Sequence, residues 1–96
     1  MNTELEKVYV CHLGHANFLK WARTKGDIRL INQDVVVIGD KKYCYVSDNR
    51  VLRGVIPKKI VISNNLERRS DYSEIMELVN ILKQLYTDCV LEYTND

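Results

Sequence analysis

Short apolar runs alternate along the chain with two longer stretches of helical periodicity. Residues 7–11, 28–31, 35–38, 43–46, 59–63 and 89–93 are predicted strands. The clearest is 59–63, because Ile60, Val61 and Ile62 are all β-branched. Gly39-Asp40-Lys41 is a turn signal, which predicts a hairpin between the third and fourth strands.

Residues 15–25 and 71–86 are predicted helices. The second helix has the stronger apolar stripe, formed by Ile75, Leu78, Val79, Leu82, Leu85 and Tyr86. Asp71 precedes Glu74 by three residues, which is a typical helix-start pattern. Gly26 follows the last basic residues of the first helix, as is common where a helix ends.

The order of these elements is strand, helix, strand, hairpin, strand, helix, strand. Continuous apolar strands that alternate with helices predict an α/β fold. We expect a single domain over residues 1–96, with a small mixed sheet of mostly parallel strands plus a β-hairpin, and two helices. An α+β arrangement with a fully antiparallel sheet is the alternative.

Composition narrows the class of protein. The chain has 96 residues, 46% of them hydrophobic, and a formal net charge of +1. This balance argues against disorder and against a dedicated nucleic-acid-binding domain, which is usually strongly basic. No apolar run is long enough to span a bilayer and no signal peptide is apparent, so we expect a cytoplasmic protein. Three widely spaced cysteines, an odd number within apolar runs, favour reduced thiols.

Several short motifs occur in a familiar order. They are YVSD at 45–48, LRGV at 52–55 and IVI at 60–62, preceded by FLKWA at 18–22. The chain resembles a class of short, poorly characterised bacteriophage proteins over most of its length, except 27–42, which looks like an added hairpin. The resemblance implies a viral or mobile-element origin, a host-cell cytoplasmic location and a reduced Rossmann-like or nucleotidase-core-like sheet. It implies no particular activity.

The predicted site lies where parallel strands end, because ligands of open α/β sheets bind beyond the carboxyl ends of the strands. If the first, fourth and fifth strands are parallel, the loops 11–15, 47–50 and 63–69 meet there. The candidate binding residues are polar side chains of these loops together with Trp21 and Arg53, which lie close to them in sequence. The full set is His12, His15, Trp21, Asp48, Arg50, Arg53, Asn64, Asn65, Glu67, Arg68 and Arg69.

The loop that contains His12 and His15 admits several chemistries. A metal site is disfavoured because structural zinc takes four ligands, and we predict neither a metal nor another cofactor. Covalent catalysis by Cys11 is disfavoured because His12 is its neighbour in a strand and points to the other face. A Walker loop is absent, although a helix N-terminus can still bind anions. If the loop has none of these roles, His12 is a polar turn residue and His15 begins the helix.

The arginines and Trp21 each have two interpretations. Arg68 and Arg69 are either solvated side chains that pair with Glu67 or Asp71, or groups that contact phosphates or an acidic partner with Arg50 or Arg53. Trp21 is either part of the core or, if exposed, an interface anchor or a base-stacking residue.

Three function classes follow. The first is a non-enzymatic protein that binds a host protein, for example an inhibitor of a host defence system or enzyme. The alternative is a module that binds a nucleotide, a signalling nucleotide or RNA phosphates through the strand-end loops. An enzyme ranks last, because no residue spacing demands an acid–base pair. An exposed last strand near 89–93 leaves a homodimer open.

Overall fold

Six strands form one mixed sheet in the computed structural model, which describes residues 5–95. The strands are β1 (Glu6–Cys11), β2 (Arg29–Asn32), β3 (Val35–Ile38), β4 (Lys41–Tyr45), β5 (Lys59–Ser63) and β6 (Val90–Thr94). The helices are α1 (His15–Arg23) and α2 (Tyr72–Leu85). The strand order is β2-β3-β4-β1-β5-β6, and β4, β1, β5 and β6 run parallel. The predicted α/β fold is confirmed, and the sheet is not fully antiparallel.

An antiparallel meander of β2, β3 and β4 forms one end of the sheet. The predicted β3–β4 hairpin is present, and its turn contains Gly39 at φ +60°, a left-handed conformation that favours glycine. A second hairpin joins β2 to β3 within the segment 27–42, which was predicted to be an added hairpin. The strand β2 that it adds is exposed along its whole length, so its apolar pattern was weak.

The two helices cover opposite faces of the sheet. Side chains alternate along β1, so Val8 and Val10 pack beneath α1 while Tyr9 and Cys11 pack beneath α2. The core beneath α1 also contains Phe18 of the helix itself. Burial on both faces is the reason that the central strands read as continuous apolar runs.

The strand order explains why the helices lie on different faces. The chain leaves β1 through α1 to reach the β4 side of the sheet, then crosses back to β5 and continues through α2 to β6. Right-handed crossovers in opposite directions place their connections on opposite faces. The connection that leaves β1 therefore runs toward one edge of the sheet, and the connection that leaves its neighbour β5 runs toward the other edge.

Local details differ from the sequence-based predictions. The predicted loop 63–69 contains a 3-10 turn, Asn64–Arg68, that buries Leu66. Leu85 was placed on the apolar stripe of α2 but is 68% exposed, because it lies on the flank of the Ile75 and Val79 line. Asp71 does occupy the N-cap of α2, but it makes no side-chain capping hydrogen bond. Within residues 5–95, neither helix has the length and hydropathy of a membrane span.

Candidate functional site

The carboxyl ends of the parallel strands bring the three predicted loops together. β1 pairs in parallel with both β4 and β5, which confirms the arrangement assumed for the site. His12 follows β1, Ser47 and Asp48 follow β4, and Asn64 opens the segment after β5. This edge therefore gathers polar residues from chain segments that are far apart in sequence.

Arg69 occupies one side of this edge and is bound entirely within the protein. Its Nη1 donates to the carbonyl oxygens of His12 at 3.0 Å and Val46 at 2.9 Å, and its Nη2 donates to that of Ser47 at 2.7 Å. Nε and Nη2 also donate to the two carboxylate oxygens of Asp71, at 2.9 and 2.8 Å. Nη1 also lies 3.3 Å from the Tyr45 hydroxyl, so six acceptor contacts share the five N–H donors of the guanidinium.

The contacts of Arg69 have a structural consequence. The guanidinium ties the ends of β1 and β4 to the start of α2, and its side chain is only 10% exposed. It also lies 5.9 Å from the ring centroid of Tyr45. Because both oxygens of Asp71 bond to Arg69, this carboxylate does not cap α2. Arg69 thus follows the pairing interpretation rather than offering its donors to a ligand.

A crevice on the other side of β1 remains open. It encloses about 250 Å³ and lies beside α1, between the end of β1 and the segment after β5. Its lining residues come from these three elements: His12, Asn17, Lys20, Trp21, Thr24 and Asn65. The crevice coincides with the point where the connections of β1 and β5 diverge to opposite faces. Open α/β sheets generally bind ligands at such a switch point.

The lining of the crevice is polar and carries one cation. Lys20 is exposed, and Asn17 and Asn65 offer side-chain amides that can donate or accept. The Thr24 hydroxyl donates to the carbonyl of Trp21 at 2.6 Å, so its oxygen still has acceptor capacity. The crevice walls formed by the described residues contain no carboxylate. Such a lining suits an anionic ligand.

His12 forms the inner wall of this crevice. Its side chain is buried, and its Nδ1 accepts a hydrogen bond from the Leu13 amide at 2.8 Å. Nδ1 is therefore the unprotonated nitrogen of the ring. Since the carbonyl oxygen of the same residue accepts from Arg69, the two sides of the edge meet at His12.

His15 lies outside the crevice, at the start of α1. Its ring pairs with Asp34 in the β2–β3 turn and stacks on Tyr45 at 4.5 Å between centroids. The structure thus uses His15 to join the helix to the added hairpin.

The remaining predicted residues are spread along the edge. Asp48 and Arg50 form an exposed ion pair at 2.8 Å, and Asp48 also accepts from the Arg50 amide. The bonds from Arg50 hold the pKa of Asp48 below its usual range. Arg53 lines a separate groove between its own loop and α2, and Asn64 bonds to Asn95 near the end of β6. Glu67 and Arg68 are exposed.

Trp21 belongs to the core beneath α1. It is 2% exposed, meets the ring of Tyr43 edge to face at 5.5 Å, and has the Lys25 ammonium 5.1 Å from its ring centroid. Its core interpretation is confirmed, and only part of its surface reaches the crevice. It offers no exposed face to a base or to a protein partner.

The Cys11 thiol at this edge is poorly suited to nucleophilic chemistry. Burial raises the pKa of the Cys11 thiol to about 12, so the nucleophilic thiolate is scarce near neutral pH. No group of three or more histidine, cysteine, aspartate or glutamate side chains converges within residues 5–95 in a way that could hold a metal ion.

Sequence reasoning missed the helical wall of the crevice. Asn17, Lys20 and Thr24 line the crevice but were not among the predicted binding residues. A usable signal was present, since these three residues and Trp21 follow the spacing of one helical line. A line of small polar side chains beside a core tryptophan can mark the flank of a helix that faces a cleft.

A wider depression of about 630 Å³ lies at the opposite, amino edge of the sheet. Its lining includes Lys7, Lys42, Lys58 and the exposed Ile56. It contains none of the predicted site residues, and it is away from the strand ends where ligands of open α/β sheets bind. We therefore take the crevice as the candidate site.

Comparisons with protein-family models, with curated proteins and with solved structures found no match to this chain. The resemblance to bacteriophage proteins stays a prediction, and so do the expected host-cell location and partner.

Proposed function

We propose that the protein is a non-enzymatic module that binds a small phosphorylated ligand, such as a nucleotide, in the crevice between β1, α1 and the segment after β5. The observation that carries this proposal is a crevice at the topological switch point where Lys20 is the only charged residue among the described walls. Amide and ammonium donors without a competing carboxylate favour phosphate oxygens.

The size of the crevice restricts the ligand. At about 250 Å³ it is slightly smaller than most small-molecule pockets, which span roughly 300–1,000 Å³. A mononucleotide with its phosphate inside and its base at the surface suits this volume better than a large dinucleotide. Single-stranded RNA is less favoured, because Trp21 is buried and gives no stacking surface.

The residues of the crevice walls are the reason that we propose binding without catalysis. General acid–base catalysis needs a titratable group close to the reacting atom. His12 is the one imidazole among the described wall residues, and its Nδ1 already accepts a hydrogen bond from the Leu13 amide. An imidazole whose Nδ1 is already bonded to the backbone is better suited to recognising a ligand than to catalysing its turnover.

Thermal unfolding with nucleoside monophosphates and with inorganic phosphate tests the proposal. A ligand that binds only the folded state stabilises it by about 2.7 kcal/mol at 100 times its dissociation constant. We expect a rise in Tm for the wild type, most of which is lost in Lys20→Ala. The matched control is Arg23→Ala, because Arg23 is also an exposed cation of α1 but does not line the crevice.

Two outcomes of this experiment contradict the proposal. One is that none of the phosphate compounds raises the Tm. The other is that Lys20→Ala and Arg23→Ala lose the same share of the rise, which indicates general charge attraction and not binding in the crevice.

A second candidate function is the binding of a host protein. It is favoured by two exposed apolar side chains of α2, since Ile81 and Leu85 are 43% and 68% exposed. Exposed apolar surface of this kind can mark a protein interface. An affinity pull-down with Leu85→Asp beside the wild type tests this candidate. A stoichiometric partner that the variant loses supports it, and an equal yield from both contradicts it.

A further inference from the structure

Within residues 5–95, β6 is an edge strand of the sheet, with β5 on one side and no strand on the other. The Val90 amide donates to the Lys58 carbonyl of the neighbouring segment at 2.9 Å, and Val90 is in register with Lys59. In a parallel ladder both backbone groups of such a residue point to the same neighbour, and alternate residues point away. The N–H and C=O groups of Leu91 and Tyr93 therefore point outward.

The two edges of the sheet differ in how they are protected against further pairing. The edge strand β2 has a register shift between Leu30 and Asn32, and an irregularity of this kind disrupts pairing. β6 is in unbroken register with β5 and contains no proline or lysine. Its one charged residue, Glu92, is neutralised by Lys59 at 2.8 Å. An edge without such features is a ready template for pairing with a second chain.

We infer that two copies of this chain pair antiparallel through β6, about a two-fold axis that passes between the two Glu92 residues. With this register, Leu91 of one copy lies opposite Tyr93 of the other. Both residues point their backbone groups outward, so each of the two Leu91–Tyr93 pairs exchanges two N–H···O=C bonds. The dimer then has one continuous sheet across both copies, with an isologous interface.

The side chains at this interface are self-complementary. Tyr93 is 61% exposed and covers Leu91 of the second copy on the face that carries α2. Val90 is 55% exposed and lies opposite Thr94 on the other face. At the axis, each Glu92 retains its own Lys59, so the four charges of the two pairs sum to zero.

The mass of the full chain in solution tests the dimer. Sedimentation or light scattering over a range of concentrations is expected to approach twice the 11.2-kDa mass of one chain. Tyr93→Lys places a protective charge on the β6 edge and is expected to give a monomer. Leu30→Lys is the matched control, because Leu30 is 57% exposed on the opposite edge, and it is expected to remain dimeric. A monomeric wild type at every concentration, or a dimer that only Leu30→Lys breaks, overturns the inference.

Oxidative cross-linking tests the register independently. Glu92 lies on the axis in a non-hydrogen-bonded pair, where the two Cα atoms are about 4.5 Å apart and within disulfide range. Glu92→Cys is therefore expected to give a covalent dimer under mild oxidation, with the wild type as the blank for the three native cysteines. Val90→Cys is not expected to form a covalent dimer, because Val90 of one copy faces Thr94 of the other. Cross-linking of Val90→Cys in place of Glu92→Cys overturns the proposed axis.

Discussion

Two arginine–aspartate pairs lie at the same edge of this sheet with the same sequence spacing. Arg69 and Asp71 follow β5, and Arg50 and Asp48 follow β4. The Arg69 side chain is 10% exposed and donates to three backbone carbonyls besides its aspartate. The Arg50 side chain is 80% exposed, and its hydrogen bonds within residues 5–95 are to Asp48.

The difference between the pairs shows that residue type and position at a strand end do not decide the role of an arginine. Arg69 closes one side of the edge because it satisfies carbonyl groups at the ends of two strands. Arg50 stiffens only its own turn. The side of the edge that no arginine closes is the crevice beside α1, and the ligand site is proposed there.

The largest expected effect is that of Arg69→Ala on stability. The substitution leaves three carbonyl oxygens and the Asp71 carboxylate without their donor, and breaking one partner of a buried pair costs about 3–5 kcal/mol. The free energy of unfolding in urea is the measurement. The matched control is Arg68→Ala at the exposed neighbouring position, for which we expect a change within about 0.5 kcal/mol. Similar losses in the two variants would contradict the role given to Arg69.

The second prediction concerns access to Cys11, which packs near the site that Arg69 closes. With a pKa raised to about 12, it should be a thiolate in about one molecule in ten thousand at pH 8, and its side chain is buried. A thiol-reactive reagent is therefore expected to label Cys11 only when the structure opens. Arg69→Ala is expected to accelerate the labelling of Cys11 about a hundredfold, in line with a loss of about 3 kcal/mol.

Cys89 provides the internal reference for that experiment, since it is also buried but lies beyond the far end of α2. Peptide-resolved mass spectrometry is expected to show a larger acceleration at Cys11 than at Cys89. Equal acceleration of both would show that Arg69 supports the whole fold and not this edge in particular.

A third prediction separates the crevice from the closed side. Lys20→Ala and Asn65→Ala are expected to change the free energy of unfolding by no more than about 0.5 kcal/mol, because neither side chain is buried. Urea unfolding without ligand is the measurement. A loss of several kcal/mol in either variant would show that these residues, like Arg69, serve the fold.

The smallest effect is expected for the exposed pair and depends on pH. Hydrogen bonds from Arg50 lower the pKa of Asp48 in the folded protein. The folded state is therefore stabilised relative to the unfolded state when the Asp48 carboxyl is ionised. The stabilisation is therefore present above the ordinary pKa of aspartate and is lost as the pH falls through the lowered value. Compared with Asp48→Asn, the wild type should melt at a slightly higher temperature at pH 7, and the difference should vanish in strong acid. A difference that grows in acid would contradict this sign.

The sequence was sufficient to predict the fold class and the edge of the sheet at which the three polar loops meet. The β-branched run Ile60 to Ile62 and the periodic α2 are local signals, and parallel pairing follows from their alternation with helices. The role of Arg69 was not predictable in the same way, because its bond to the His12 carbonyl joins residues 57 positions apart. The crevice wall formed by Lys20 and Thr24 depends equally on how α1 docks on the sheet.

Titration of the ¹⁵N-labelled protein with a nucleoside monophosphate, followed by NMR, tests the crevice most directly. The indole N–H of Trp21 and the side-chain amides of Asn17 and Asn65 are expected to shift together and to saturate. The side-chain amide of Asn64, which is next to Asn65 in sequence but bonds to Asn95, should stay unchanged. Shifts confined to other surfaces, or none with any of the common monophosphates, would contradict the proposed ligand site.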